Sequence, residues 1–153
     1  MPGGKVFLDT NVILYLHDRR EAAKGKIAGE WLRHLTQFQL AQINLQVLNE
    51  AANAMLRGKW FESPTTVHLI INDLTIWGTS PVSWRQVERA RELHESLSYS
   101  WWDCLLLAAA IELGCTRFLS EDLQDGQRIV AGDGRGLTIV DPFAHSPAEF
   151  LSS

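Results

Sequence analysis

The sequence predicts an α/β protein with three layers, in which a short central parallel sheet of four to five strands carries helices on both faces. The main observation is that short apolar runs alternate along the chain with longer segments of helical spacing. The runs are largely apolar, as strands covered on both faces are. The length of 153 residues suits one domain, expected over residues 1–153 with a core at about 5–140 and a C-terminal tail at about 141–153.

The predicted elements follow the chain in a regular order. Lys5–Leu8 forms a short buried strand, and helical spacing begins at Val12. Further strands are expected at Phe38–Ile43, Arg117–Ser120 and Leu137–Val140. Further helices are expected at Ala22–Leu35, Leu45–Arg57, Pro64–Trp77 and Trp84–Ser96, and as a buried helix from Leu105 to Ile111, which is apolar on all sides.

Helix boundaries carry the usual start and stop residues. Ser63 and Pro64 have the residue types favoured at a helix cap and at the first helical position. Gly58, Gly78 and Gly114 follow the last periodic residues of three predicted helices, where glycine commonly ends a helix.

The composition excludes several classes of protein. A net charge of −4 argues against a polybasic nucleic-acid binder, although it allows a nuclease whose acidic site is neutralised by metal ions. The longest apolar run, Cys104–Ile111, is far too short to span a membrane, and no signal peptide is evident. Cys104 and Cys115 are expected to be small buried residues of a reduced, cytoplasmic protein without a membrane partner.

Acidic residues stand at the element boundaries. Asp9 follows the first strand and Asp122 follows the strand that ends at Ser120. Both are therefore expected at the carboxyl edge of the parallel sheet, where open α/β sheets bind ligands. Asp103 begins the buried helix that precedes this later strand, so it should lie near the same edge. Glu50 is the fourth candidate, because it lies off the apolar stripe of its helix among short side chains.

Each of these residues also has a purely structural interpretation. Asp9 could cap the helix that follows it, and Asp103 forms a capping box by its spacing from Ser100. Glu50 could simply be solvated. The neighbouring Trp101 and Trp102 could stack on bases, but tryptophan beside a buried helix more often packs in the core or at its rim.

Clustered carboxylates need positive charge nearby. Two of them about 5 Å apart repel by roughly 3 kcal/mol at an effective dielectric constant near 20. No lysine or arginine adjoins these acids in the sequence, and the oxygen-only ligand set favours Mg²⁺ or Mn²⁺. Such ions can activate water and stabilise both oxygens in a phosphodiester displacement.

Four motifs together resemble the PIN-domain ribonucleases, and within them the VapC toxins of bacterial toxin–antitoxin pairs. The matching segments cover nearly the whole chain in the same order. They are Phe7-Leu8-Asp9-Thr10-Asn11-Val12-Ile13-Leu14, Leu48-Asn49-Glu50, Ser100-Trp101-Trp102-Asp103 with its Ala/Leu-rich helix, and Leu119-Ser120-Glu121-Asp122-Leu123.

The resemblance implies a PIN-like fold and assigns roles to particular residues. It identifies the metal-binding, catalytic acids as Asp9, Glu50, Asp103 and Asp122. Asn11 and Ser120 correspond to polar residues that hold the carboxylates in place. Asp125 and Glu121 are weaker candidates; Asp122 is preferred over Glu121 because Ser120 then lies on the same side of an extended strand end.

The resemblance also implies an activity and partners. It predicts a Mg²⁺- or Mn²⁺-dependent endoribonuclease that cuts RNA, often tRNA or rRNA, forms a homodimer and is silenced by a small VapB-type antitoxin. Dimerisation is expected to use the Pro64–Trp77 and Trp84–Leu97 helices. Candidate RNA contacts are the basic residues Arg19, Arg20, Lys24, Lys26, Arg57 and Lys59.

Two alternatives remain open at the level of sequence. One is a housekeeping RNA-processing nuclease without an antitoxin, which has the same residues. The other is a non-catalytic α/β module that binds protein or RNA. A phosphate-accepting receiver domain is disfavoured, because such a domain needs a late lysine at the sheet edge and no lysine follows Lys59.

Overall fold

The sheet is built around the first strand, β1 (Lys5–Leu8), which has a neighbour on each side. The computed structural model describes residues 4–151; positions 1–3 and 152–153 of the predicted domain lie outside the described residues. The sheet has the strand order β2-β1-β3-β5-β4. Its other strands are β2 (Ala41–Gln42), β3 (Cys115–Leu119), β4 (Arg128–Val130) and β5 (Gly136–Val140).

Helices connect and cover the strands. They are α1 (Thr10–Tyr15), α2 (Ala22–Gln37), α3 (Leu45–Arg57), α4 (Pro64–Leu74), α5 (Trp84–Ser96), α6 (Trp101–Glu112) and α7 (Ala148–Leu151). Short 3₁₀ turns occupy Arg19–Glu21 and Thr75–Trp77. This arrangement confirms the predicted three-layer α/β fold.

Two details differ from the predictions. Strand β4 pairs with β5 in the antiparallel direction, so the sheet is mixed rather than wholly parallel. The strand predicted at Phe38–Ile43 is limited to β2, because α2 continues to Gln37 and the chain then turns through Gln39, which has a φ of 56°. That left-handed conformation cannot belong to a strand.

The core includes the central strands and the buried helix α6, together with residues of the other helices on both faces of the sheet. Phe7 of β1 and Phe118 of β3 are paired in register, and their fully buried rings stack with centroids 5.6 Å apart. Residues 104–111 of α6 are all buried, which confirms the helix predicted to be covered on every side. Cys104 and Cys115 are buried and unpaired.

The segment after β5 packs back onto α2. Trp31 donates a hydrogen bond from its indole nitrogen to the carbonyl oxygen of Pro142 at 2.9 Å. The ring of Phe150 lies 6.2 Å from that of Trp31. Within the described part of the chain, no helix combines the length and apolarity that a membrane crossing needs.

Gly78 provides a first test of the fold. Its φ of 133° is strained for other residues, and a methyl group there would overlap the carbonyl oxygen of Ile43. We expect Gly78→Ala to lower the free energy of unfolding by about 1–3 kcal/mol in urea titrations. Gly29→Ala is the matched control, because a methyl group at this helical position meets nothing within 4 Å and should stabilise by about 1 kcal/mol. Equal effects of the two substitutions would contradict this account.

Candidate functional site

The register of β1 and β3 brings Asp9 and Ser120 side by side. Leu8 pairs with Leu119, and the amide of Asp9 donates to the carbonyl oxygen of Leu119 at 3.0 Å. Asp9 and Ser120 are the first residues after β1 and β3, so their side chains meet at the carboxyl edge of the sheet. Ser120 Oγ donates to Asp9 Oδ2 at 2.8 Å, and the amide of Thr10 donates to Asp9 Oδ1 at 2.7 Å.

Asp9 is a buried acid with two hydrogen bonds. Only 6% of its surface is exposed. The pKa of Asp9 is raised to about 7, mainly because the residue is buried. The hydrogen bonds from Ser120 and Thr10 lower this pKa by less than burial raises it. The charges of Asp103 and Asp122 raise it further. The anion of Asp9 is therefore destabilised in the metal-free fold. The residue both caps α1 and faces other acids, so the two interpretations of its role coexist.

Glu50 is held by two neighbours, one on α1 and one on its own helix α3. Thr10 Oγ1 of α1 donates to Glu50 Oε1 at 2.6 Å, and Gln46 Nε2 of the same helix donates to Glu50 Oε2 at 3.1 Å. Gln46 Nε2 also contacts the carbonyl oxygen of Trp102, at the start of α6, at 3.3 Å. Glu50 is half-buried rather than freely solvated.

Asp103 lies in the first turn of α6. Its amide donates to Oγ of Ser100, the helix cap, at 3.1 Å. Its carboxylate makes no hydrogen bond within residues 4–151, yet its charge raises the pKa of both Asp9 and Asp122. The capping role thus belongs to Ser100, whereas the charge of Asp103 is directed at the other two acids.

Asp122 reaches the same edge from the end of β3. Its amide donates to Ser120 Oγ at 3.2 Å, and Asn11 of α1 donates a hydrogen bond to Asp122 Oδ2. The pKa of Asp122 is raised, mainly by burial and then by the charges of Glu121 and Asp103. Asn11 and Ser120 therefore both contact carboxylates, as residues that position them would.

The two weaker acid candidates make other contacts. Glu121 forms an ion pair with Lys24 at 2.9 Å and accepts a hydrogen bond from the Tyr15 hydroxyl at 3.0 Å. Asp125 accepts the amide of Asp141 at 2.9 Å and pairs with His145 at 2.7 Å. Asp125 is thus engaged by the segment after β5.

The basic candidates divide into three groups. Lys24 lies close enough to Asp122 to lower its pKa. Arg19, Arg20 and Lys59 line a cleft of 210 Å³, in which the guanidinium of Arg20 lies 5.5 Å from the ring centre of Trp60 and pairs with Asp18. The last two, Lys26 and Arg57, are exposed on α2 and at the end of α3. The C-terminal end of α3 is about 10 Å along the helix from Glu50.

The donor chemistry of the acidic cluster fits a hard divalent cation. Every candidate ligand is a carboxylate oxygen, and the charge of Asp103 raises the pKa of both Asp9 and Asp122. Among residues 4–151, however, no three acid, histidine or cysteine side chains stand close enough to hold an ion as they are. The hydrogen bonds from Ser120, Asn11 and Thr10 hold the carboxylates separately.

Two contributors were missed by reasoning from the sequence. Thr10 and Gln46 hold Glu50, whereas Lys24, predicted as an RNA contact, pairs with Glu121. Only Gln46 has a local signal, because residues four apart on a helix are neighbours. The partners of Thr10 and Lys24 are 40 and 97 residues away.

Comparison with known proteins agrees with this architecture. The family model described as the PIN domain matches residues 6–131. None of the curated proteins matches the chain significantly.

Solved structures give further matches. VapC20 from Mycobacterium tuberculosis, described as a toxin that cleaves the sarcin-ricin loop, is 19% identical and superposes with a TM-score of 0.58 over 77% of this chain and 92% of its own. VapBC2 from Rickettsia felis, solved bound to a DNA fragment from its promoter, is 14% identical with a TM-score of 0.58 over 78% of this chain and 88% of its own. At these identities the superpositions establish the shared fold.

The raised pKa of Asp9 predicts a pH-dependent stability. The unfolded carboxyl group ionises near 3.8 but the folded one near 7, so the folded protein binds the extra proton between these values. Without divalent ions, the free energy of unfolding should therefore fall as the pH rises from about 4 to 8. This fall should be a few kcal/mol larger in the wild type than in Asp9→Asn. Urea unfolding of both proteins in a chelator across this range measures the difference. Parallel curves would contradict the assignment.

Proposed function

The chain belongs to the PIN-domain family, and on that premise we propose that it is a Mg²⁺- or Mn²⁺-dependent endoribonuclease and the toxin of a VapBC-type pair. One observation carries the proposal: Asp9 is buried at the carboxyl edge of the sheet, where Ser120 holds it and the charges of Asp103 and Asp122 both reach it. The chain passes from β1 to β2 on one side, whereas β3 pairs with β1 on the other side. Open α/β sheets bind ligands at the carboxyl edge where the strand order reverses in this way.

The chain's own residues have distinct roles in this proposal. Asp9, Asp103, Asp122 and Glu50 supply the oxygen ligands. A divalent ion bound there would supply positive charge to the phosphate group and activate water. Ser120 and the amide of Thr10 hold Asp9 in one orientation, and Asn11 does the same for Asp122.

Glu50 is held by a different set of hydrogen bonds from those that hold Asp9 and Asp122. Its two carboxylate oxygens accept from Thr10 and Gln46, and the bond from Thr10 joins α1 to α3 near the site. We assign Thr10 and Gln46 as positioning residues for Glu50. Lys24 and the cleft lined by Arg19, Arg20 and Lys59 are the proposed contacts for the RNA backbone, because cations attract phosphates.

The proposed partners follow from family and fold. The substrate is RNA, with tRNA or rRNA as the first classes to test, since VapC20 is described as cleaving the sarcin-ricin loop. A small VapB-type antitoxin would silence the enzyme by covering the acidic cluster with a basic side chain. VapBC2, a toxin–antitoxin complex by its name, supports this class of partner.

The proposed homodimer would cover apolar side chains on α4, on the 3₁₀ turn that follows it and on α5. Leu69, Ile76 and Trp84 are 61%, 81% and 66% exposed in the single chain. Exposed apolar groups of this size are typical of protein interfaces.

The first test uses the metal and RNA together. We expect millimolar Mn²⁺ to raise the unfolding temperature of the wild type by about 5–10 °C at a hundredfold excess over the dissociation constant. Asp103→Asn should lose this shift, because it removes one charge without changing the shape of the site. The same substitution should reduce RNA cleavage more than about 100-fold.

Glu62→Gln serves as the control, because it neutralises an exposed acid away from the cluster. It should retain both the Mn²⁺ shift and the cleavage activity. Equal cleavage by the wild type and Asp103→Asn would remove Asp103 from the site. Growth arrest on expression, relieved by a gene product encoded alongside, would separate a toxin from a housekeeping nuclease.

The dimer is tested separately. Ile76→Asp places a charge on the most exposed of the apolar side chains and should convert a dimer into a monomer in sedimentation analysis. Val130→Asp is the control, because Val130 is 60% exposed but lies on the edge strand β4. A dimer that survives Ile76→Asp would place the interface elsewhere.

A further inference from the structure

A shallow groove adjoins the acidic cluster on the side of α3. It is lined by Gln46, Asn49, Glu50 and Asn53 of α3 and by Trp102 of α6, and it encloses about 360 Å³. We call it the amide groove. Its volume falls within the range of small-ligand sites, about 300–1,000 Å³.

The α3 side of the groove is a polar stripe. Residues 46, 49, 50 and 53 have the spacing that places side chains on one helix face. Asn49 donates to the carbonyl oxygen of Leu45 at 2.9 Å, which leaves its amide oxygen available. The side-chain amide of Asn53 makes no hydrogen bond within the described part of the chain. This face therefore presents unused donors and acceptors.

Gln46 adds a further unused acceptor. Its nitrogen donates to Glu50 and to the backbone of Trp102, whereas its Oε1 is buried without a hydrogen-bond partner among residues 4–151. Buried polar atoms are nearly always paired, so an unpaired one beside a groove points to a donor on a ligand.

Trp102 forms the opposite wall. It is 60% exposed, although the adjacent Trp101 is half-buried and packs edge-on against His94 at 6.0 Å. The backbone of Trp102 is fixed by the bond from Gln46 and by its place in the first turn of α6. Asp103, the next residue, belongs to the acidic cluster. A large flat ring is thus held in solvent directly beside the proposed reaction site.

The charge of the groove selects the class of ligand. Its five lining residues include no lysine or arginine, and the single ionisable group is the Glu50 carboxylate. A phosphate group would be repelled here, whereas a neutral aromatic ring with polar edges matches both the tryptophan and the amides. Asparagine and glutamine pair with the edges of nucleobases, and aromatic side chains stack on their faces.

We propose that the amide groove is a nucleobase subsite, in which one unpaired base of the RNA strand stacks on Trp102 while Asn49 and Asn53 contact its edge. The inference rests on the proposed ribonuclease function and extends it to substrate recognition. The bound base belongs to a nucleotide close to the scissile phosphate, because Glu50 both lines the groove and is one of the proposed ligand acids. Such stacking requires an unpaired or extruded base, so the preferred substrates are single-stranded segments and loops.

The test separates base binding from backbone binding. All proteins carry Asp9→Asn so that RNA is not cut, and the probe is a fluorescein-labelled oligoadenylate of about eight nucleotides. We expect Trp102→Ala to weaken binding about 5- to 150-fold, the range for loss of one stacked base, and Trp102→Phe to retain most of the affinity. A strand of the same length without bases should bind equally to all three proteins.

Phe38→Ala is the matched control, because Phe38 is an exposed aromatic residue at the end of α2 and should leave binding unchanged. In proteins that retain Asp9, Trp102→Ala should raise KM more than it lowers kcat.

Two results would overturn the subsite while leaving the nuclease intact. One is equal oligoadenylate binding by Trp102→Ala and its parent, with RNA still cut by the wild type. The other is an equal loss for the strand without bases, which would make Trp102 a structural residue. A wild-type protein that neither binds nor cuts any RNA would remove the proposed function and the subsite together.

Discussion

The parallel pairing of β1 with β3 is the contact on which the rest of the site depends. The stacked rings of Phe7 and Phe118 occupy the centre of this pairing, and both are fully buried. A shift of one residue in the register would turn these rings out of the core and separate Asp9 from Ser120. The sheet thus sets the position of this carboxyl edge through hydrophobic packing rather than through the polar residues that lie there.

This arrangement disfavours the ionised form of Asp9. Burial beside two further acids raises the pKa of Asp9 to about 7, although two hydrogen bonds favour its anion. The hydrogen bonds orient the group but do not offset the loss of solvent. Near neutral pH and above, a site of this kind would gain stability from a cationic ligand, such as a metal ion or a basic side chain of a partner. Competition between the two for the same acids would provide a simple physical basis for inhibition.

Much of this arrangement could be predicted from local patterns. Asp9 and Asp122 each follow a short apolar strand, so their placement at one edge required only parallel strands. Alternation at the end of β3 also favoured Asp122 over Glu121, and Glu121 turns to Lys24 instead. The direction of β4 and the early end of the predicted strand at Phe38–Ile43 were not predictable in this way. They depend on a turn at Gln39 and on pairing with β5.

The contacts around Glu50 lay beyond local patterns for another reason. Thr10 and Trp102 reach Glu50 and its neighbour Gln46 from positions 40 and 56 residues away in the chain. Short polar residues such as Thr10 carry no distinctive periodicity, and their role emerges only when α1, α3 and α6 meet. The amide groove could not be predicted from local patterns either, because the exposed Trp102 forms a groove only together with the opposing face of α3.

The central position of β1 has a consequence for synthesis of the protein. This strand is made before β3, and Asp9, which directly follows it, is 111 residues from its partner Ser120. A nascent or truncated chain that lacks β3 has neither the wall that buries Asp9 nor the Asp122 carboxylate. The acidic cluster can therefore assemble only after synthesis has passed Asp122 and the middle of the sheet has closed.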